Sequence, residues 1–217
     1  MAHLLHIDSS ALVSGSVSKE ISTTFRKSWE QAHPDGTVTY RDLGVDPVGP
    51  LLEAGITAGF TPEDARTPEQ VAALAAREAL VQEVLEADAF LLSVPMYNWG
   101  VPATFKAWLD QVLVMGRTAA PAGTPPLAGR PTTVVLSYGG GYDAGTPRAG
   151  WDFVQPYLET VLGKAMGLDL TVIKAQLTLA ERNPAMAELI PASLQQKEAA
   201  HAATGEHART VAAALAV

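Results

Sequence analysis

The run Ala89-Phe90-Leu91-Leu92-Ser93-Val94 constrains this chain more than any other stretch. A strand with water on one face alternates apolar and polar residues, whereas one covered on both faces reads as a nearly unbroken apolar run. Such a strand needs helices above and below it, and the flanking sequence supplies them. Thr67-Pro68-Glu69-Gln70 opens a helical stretch that continues to about Leu85, with Thr67 as the cap and Pro68 at the first helical position. A further helix is expected from about Pro102 to Met115. The same alternation recurs along the chain. His3–Ile7, Thr37–Tyr40, Thr132–Leu136 and Leu168–Ala175 read as strands. Ser18–Ala32 reads as an amphipathic helix, because Ile21, Phe25, Trp29 and Ala32 recur every three or four residues. Trp151–Met166 and most of Pro184–Val217 read as helical. Five β–α units imply an α/β fold: a doubly wound, five-stranded parallel sheet with helices on both faces. Leu43–Pro68 is the exception, rich in Gly and Pro and without a clear period. A connection of that length is expected to be functional or part of an interface. No internal repeat or linker divides residues 1–217, so one domain is expected.

Composition narrows the function. With 47% hydrophobic residues the chain can fill a core, which excludes disorder as its main state. The net charge of −8 disfavours a nucleic-acid surface. There is no cysteine, which excludes disulfides, iron–sulfur clusters, thiolate zinc sites and cysteine nucleophiles. No apolar run approaches the roughly 20 residues of a membrane span. The N-terminus lacks a basic start and a long apolar core. A cytoplasmic protein with neither nucleic-acid nor membrane partners is expected. No metal site is expected either: His3 and His6 fall on opposite faces of a strand, and His201 and His207 are about 240° apart on a helix.

Parallel sheets of this kind bind ligands beyond the carboxyl ends of their strands, which directs attention to three loops. The first, Asp8 to Ser18, joins a strand to a helix and carries hydroxyls on Ser9, Ser10, Ser14, Ser16 and Ser18. With the free amides of a helix N-terminus, these suit a phosphate. No Lys or Arg precedes Lys19, so the donors would be largely neutral. The Gly-rich dinucleotide fingerprint and the P-loop are both absent. The plainer alternative is that Ser16 or Ser18 only caps the helix. The second loop, Pro95-Met96-Tyr97-Asn98-Trp99-Gly100-Val101-Pro102, offers flat apolar surface from Tyr97 and Trp99 and hydrogen bonding from Asn98. Its alternative is a rigid turn packed on the core. The third, Ser137-Tyr138-Gly139-Gly140-Gly141-Tyr142, permits close backbone approach and exposes amides.

Taken together, these segments resemble the FMN-dependent NAD(P)H:quinone oxidoreductases, or azoreductases, of the flavodoxin-like superfamily. The resemblance rests on Ser9-Ser10 with Ser16-Val17-Ser18, Arg41-Asp42-Leu43, Pro95-Met96-Tyr97-Asn98-Trp99, Ser137-Tyr138-Gly139-Gly140, and Gln155-Pro156-Tyr157-Leu158 with Leu162-Gly163. It implies a flavodoxin-like fold and one non-covalent FMN per subunit. Ser10, Ser16, Val17 and Ser18 would hold the phosphate. Met96, Tyr97, Asn98 and Trp99 would line the isoalloxazine ring. Ser137, Tyr138, Gly139 and Gly140 would approach its pyrimidine end. It further implies NADH or NADPH as donor, a small aromatic acceptor such as a quinone or azo compound, a ping-pong mechanism and a homodimer using the Leu43–Pro68 segment. No catalytic side chain is assigned, because the flavin carries the chemistry.

The chain departs from the family pattern at three places. Arg117–Thr124 and Val161–Met166 lack the aromatics that relatives place over the flavin, and Tyr138 stands where some relatives have Arg. The pocket would then be lined instead by Trp99, Tyr142 or Trp151. Two alternatives stay open at this point: a specialised biosynthetic reductase on the same scaffold, and a flavodoxin-like electron carrier.

Overall fold

The computed structural model describes residues 1–120 and 123–215. Pro121 and Ala122, within the Arg117–Thr124 stretch, and the last two residues of the expected C-terminal helix lie outside the described residues.

Five strands form one parallel sheet: β1 (His3–Asp8), β2 (Thr37–Asp42), β3 (Ala89–Pro95), β4 (Pro131–Ser137) and β5 (Asp169–Ala175), in the order β2-β1-β3-β4-β5. The central strand β3 is the apolar run itself and is buried at every position. Its residues divide between two cores with the period of 2 that a strand imposes. Phe90, Leu92 and Val94 face one way, joined by Leu5, Ile7, Val134 and Leu136. Against them pack α3 (Pro68–Glu86), α4 (Ala103–Val112) and α5 (Gln155–Leu158), through Val84, Phe105, Trp108 and Leu158. Ala89 and Leu91 face the other way with Leu4, Val135 and Ile173. There they meet α1 (Val17–Ala32) and α6 (Ile190–Ala214), through Ile21, Phe25, Trp29, Ala208 and Val211. Each large apolar side chain buried this way contributes about 1.5–3 kcal/mol.

The Thr67 cap is present as a full capping box with Gln70, and Pro68 opens α3. The expected Trp151–Met166 helix is corrected. Residues 151–154 are not helical, because the Asp152 carboxylate accepts the amides of Val154 (2.9 Å) and Gln155 (3.2 Å) and so starts α5 at Gln155. From Glu159 to Ala165 the turn widens to a π-helix. The helix expected to run to Met115 ends at Val112. Residues 184–189 form a 3₁₀ segment ahead of α6. The aperiodic Leu43–Pro68 segment holds a short helix, α2 (Glu53–Thr57), followed by two 3₁₀ turns. None of the described helices is long and apolar enough to cross a membrane.

Candidate functional site

The strand order reverses direction between β1 and β3, so their following loops diverge and leave a crevice at the sheet's carboxyl edge. Hydrogen bonds fix those loops to one another. Ser9 donates from both its amide (3.1 Å) and its hydroxyl (2.7 Å) to the Ser93 carbonyl. The Ser10 hydroxyl lies 3.1 Å from the Tyr97 hydroxyl, which also accepts the Ala11 amide at 3.0 Å. The Met96 amide donates to the Ser137 carbonyl at 2.9 Å, joining the second loop to the third.

Between the loops lies a cavity of about 290 Å³. Seven of the residues expected at the site line it: Ser10, Ser16, Val17, Met96, Tyr97, Ser137 and Gly139. Ser16 is the N-cap of α1 and accepts the Lys19 amide, so the plainer capping role is real. The Val17 and Ser18 amides meet no protein acceptor among the described residues. A helix N-terminus in that state attracts an anion. The Ser18 side chain is buried, with its hydroxyl 3.3 Å from that of Ser16, so Ser18 can serve a ligand through its amide only.

The second loop reverses at Asn98 and Trp99. Tyr97 and Gly100 exchange amide–carbonyl bonds at 3.0 Å each way, and the two residues between them take φ of 49° and 65°. Left-handed backbone at both central positions is the habit of tight hairpin turns and ordinarily selects Gly or Asn. Here it leaves the amides of Asn98 and Trp99 without a protein acceptor among the described residues. Trp99 stands half-exposed and edge-on to Trp151, with ring centroids 5.8 Å apart. Asn98 and Tyr97 also border a more open apolar hollow with Phe153 and Tyr157.

The third loop departs from expectation at Tyr138. Its amide donates to the Ala175 carbonyl, and its side chain turns into the core to donate to Asp152 at 2.8 Å. Burial first, then Asp152, pushes the phenol well above its ordinary pKa, so it stays protonated and structural. Tyr138 therefore gives the loop its shape rather than a donor. The amides of Gly139 and Gly140 meet no protein acceptor among the described residues. A Cβ on Gly139 would lie 2.7 Å from the Leu179 side chain, and one on Gly140 would lie 2.6 Å from the Arg148 guanidinium.

A fourth wall was not foreseen from sequence. The loop after β5 runs along the glycines: the amides of Leu177, Thr178 and Leu179 donate to the carbonyls of Gly140, Tyr138 and Gly139 at 3.0–3.2 Å. It adds Thr178, Leu179, Glu181 and Arg182 to the cavity lining, and α6 adds Lys197. Nothing local in the sequence marks these residues, which meet the first loop from more than 160 positions away. Tyr142 packs edge-on to Tyr138 at 5.5 Å.

One end of the cavity thus presents amides and hydroxyls at a helix N-terminus, and the other presents Met96, Tyr97 and a glycine backbone. An elongated ligand with an anionic end and a flat apolar end matches both.

A family profile described as flavodoxin-like fold matches residues 2–201. The chain is similar to proteins named FMN-dependent NADH:quinone oxidoreductase. It is 49% identical over 202 residues to that of Streptomyces avermitilis, covering 93% of each chain. It is 50% identical over 202 residues to that of Streptomyces coelicolor, covering 93% of this chain and 91% of the other. It is 47% identical over 210 residues to that of Frankia casuarinae, covering 96% and 99%. Among solved structures, an azoreductase from Bacillus anthracis superposes with a TM-score of 0.82 at 20% identity, covering 97% of this chain and all of the other. An FMN-dependent NADH-azoreductase from Bacillus anthracis, solved in complex with FMN, gives 0.82 at 21% identity over 98% and 100%. At such identities the structural likeness speaks for the fold.

Proposed function

The chain belongs to the flavodoxin-like fold family, and on that premise we propose that it is an FMN-dependent oxidoreductase passing two electrons from NADH to quinones, azo compounds or related aromatic acceptors. The observation that carries this reading is the pairing, in one cavity, of open amides at the start of α1 with a flat apolar wall from the loop after β3.

The donors suit FMN. Its phosphate needs several hydrogen bonds and a positive potential. The Val17 and Ser18 amides, the Ser10 and Ser16 hydroxyls and the α1 dipole supply them. Its ring needs flat surface and donors along one edge, which Met96, Tyr97 and the Gly139 backbone offer in the cavity, with the open amides of Asn98, Trp99 and Gly140 in the adjoining turns. When bound, FMN supplies hydride acceptance from NADH and two-electron delivery to the acceptor. The protein positions the reactants and sets the field around them. Amides at Gly139 and Gly140 favour negative charge beside them, and so favour a reduced cofactor. Trp99, Trp151 and Phe153 are exposed, with Trp99 edge-on to Trp151, and this reading takes them as the surface on which one flat molecule docks at a time. Donor and acceptor then alternate there, which gives ping-pong order.

This reading takes the protein to be a homodimer working in the cytosol. Leu52, Ile56 and Phe60 expose 66%, 51% and 88% of their surface within the segment 43–68. Apolar exposure of that kind in one stretch fits a second copy.

The test is a visible spectrum of the protein with FMN, followed by NADH and then a small benzoquinone. A bound-flavin spectrum that bleaches with NADH and returns with quinone supports the reading. Absence of flavin binding, or bound flavin that NADH fails to bleach, overturns it. Parallel lines in double-reciprocal plots of rate at several quinone concentrations test the ping-pong order, and intersecting lines would refute it.

A further inference from the structure

The first loop has no cation of its own. Lys19 is spent on Asp42, with its ammonium 2.7 and 2.8 Å from the two carboxylate oxygens. A phosphate dianion at the start of α1 would face Glu20 and Glu181, both in the cavity lining. The fold answers with two cations from the C-terminal part of the chain. Lys197 of α6 sits 2.8 Å from a Glu20 carboxylate oxygen and neutralises it. Arg182, from the loop after β5, reaches across to the first loop, where its Nη2 donates to the Gly15 carbonyl at 2.9 Å. A guanidinium carries five N–H donors in a planar fork. One donation fixes its position and leaves the rest for a ligand of the cavity that it lines. The close approach depends on Gly15, which has φ +67°; a Cβ there would lie 2.7 Å from Arg182 Nη2.

We propose that Arg182 is the cationic partner of the FMN phosphate, so that the loop after β5 sets flavin retention and separates FMN from unphosphorylated riboflavin. This rests on the flavin reading above. Lys197 is committed to Glu20, which leaves Arg182 as the lining cation able to pair with a ligand. Its fork suits two phosphate oxygens, as a lysine's point charge does not. Arg182 is exposed, so its attraction is screened by salt.

The experiment measures FMN and riboflavin binding to the full-length chain by quenching of flavin fluorescence, for wild type, Arg182→Ala and Arg182→Lys. In Arg182→Ala, FMN affinity should fall about tenfold, or about 1.4 kcal/mol. Riboflavin affinity should hold within about twofold, and FMN binding should lose part of its salt dependence. Arg182→Lys should recover part of the loss, since it keeps the charge without the fork. An equal loss for both flavins would overturn the proposal, since Arg182 would then only shape the loop. Unchanged FMN affinity in Arg182→Ala, with wild type still binding FMN and bleaching with NADH, would overturn it and leave the flavin reading standing. A wild-type protein that binds neither flavin would overturn both.

Discussion

At Trp99 a bulky residue holds φ 65° in a turn whose geometry favours glycine. Left-handed backbone costs a side chain about 1–2 kcal/mol. The edge-on contact with Trp151 returns about 0.5–1.5 kcal/mol beyond its area. These opposing terms make a sharp prediction, because they separate backbone from side chain. Trp99→Ala loses the aromatic contact and keeps the strain. Trp99→Gly loses the same contact and relieves it. The glycine variant should therefore be more stable than the alanine variant by about 1 kcal/mol and melt at a higher temperature, which reverses the usual order of the two residues. Thermal denaturation of both reads the sign directly, and an alanine variant at least as stable as the glycine one would refute the strain. Both variants should bind FMN more weakly than wild type if Trp99 lines the ring. The sequence announced Trp99 as flat surface, but it did not announce the strained backbone, since Asn98-Trp99 lacks a glycine to mark the turn. The resemblance places Tyr138 beside the ring, and only the position of Asp152 shows that its hydroxyl points inward.

Between elements, Asp152 joins two tasks. One carboxylate oxygen accepts the Tyr138 hydroxyl from the loop after β4, and the other accepts the Val154 and Gln155 amides just ahead of α5. Asp152→Ala removes the local carboxylate–amide bonding ahead of α5, worth about 0.5–1.5 kcal/mol, and leaves the buried phenol without its acceptor, at a further 1–3 kcal/mol or so. Chemical denaturation should show a loss of about 2–4 kcal/mol, with weaker FMN binding as the glycine loop loosens; a loss below about 1 kcal/mol would show that the two tasks are not carried by this carboxylate. The packing of α1 on α6 carries a pH dependence. His201, 2.8 Å from the Thr24 hydroxyl, has its pKa lowered by burial and then by Lys197. Burial also lowers that of His207, which packs near Phe25. Each folded-state value lies below the ordinary 6.5. The unfolded chain therefore takes up protons that the folded chain resists. The stability these groups allow is complete above about pH 6.5 and drains as the pH falls through 6.5 toward the folded values. Melting temperature should decline from pH 7.5 to 5.5, and His201→Gln with His207→Gln should flatten that slope; an unchanged slope in the double variant would place its origin elsewhere. Periodicity makes α1 legible, because burial on one face writes a repeat of three or four into it, with Ile21, Phe25 and Trp29 all buried. It could not show the break at residues 151–154, since Asp152 is held there by the Tyr138 hydroxyl from the loop after β4.

For the molecule as a whole, five parallel strands and a candidate site at their carboxyl edge follow from where the apolar runs fall. The segment between β2 and α3, whose length marks it as functional or part of an interface, carries no such run. It packs partly on its own fold, with Ala58 buried, yet leaves Phe60 almost fully exposed, with Leu52 and Ile56 beside it and Val71 of α3 half-exposed. A lone chain gains nothing from presenting a phenylalanine to water, whereas a second copy would bury it. A stable interface covers roughly 1,600 Å², and one fully buried Phe accounts for about 1.5–3 kcal/mol of its apolar gain. Phe60→Asp removes that gain and adds a charge that the interface would have to desolvate. Light scattering after size exclusion should give twice the chain mass for wild type at micromolar concentration and one chain mass for Phe60→Asp. The monomeric variant should keep its circular dichroism, because Phe60 supports none of the core of its own chain. FMN affinity then separates two architectures. Retention by the monomer would mean that the four loops of one chain suffice, as their mutual hydrogen bonds suggest. Loss would mean that the hollow bordered by Asn98 and Phe153 is completed by the other copy. A wild-type protein that runs as one chain at every concentration would refute the dimer itself and leave Phe60 without a structural reason.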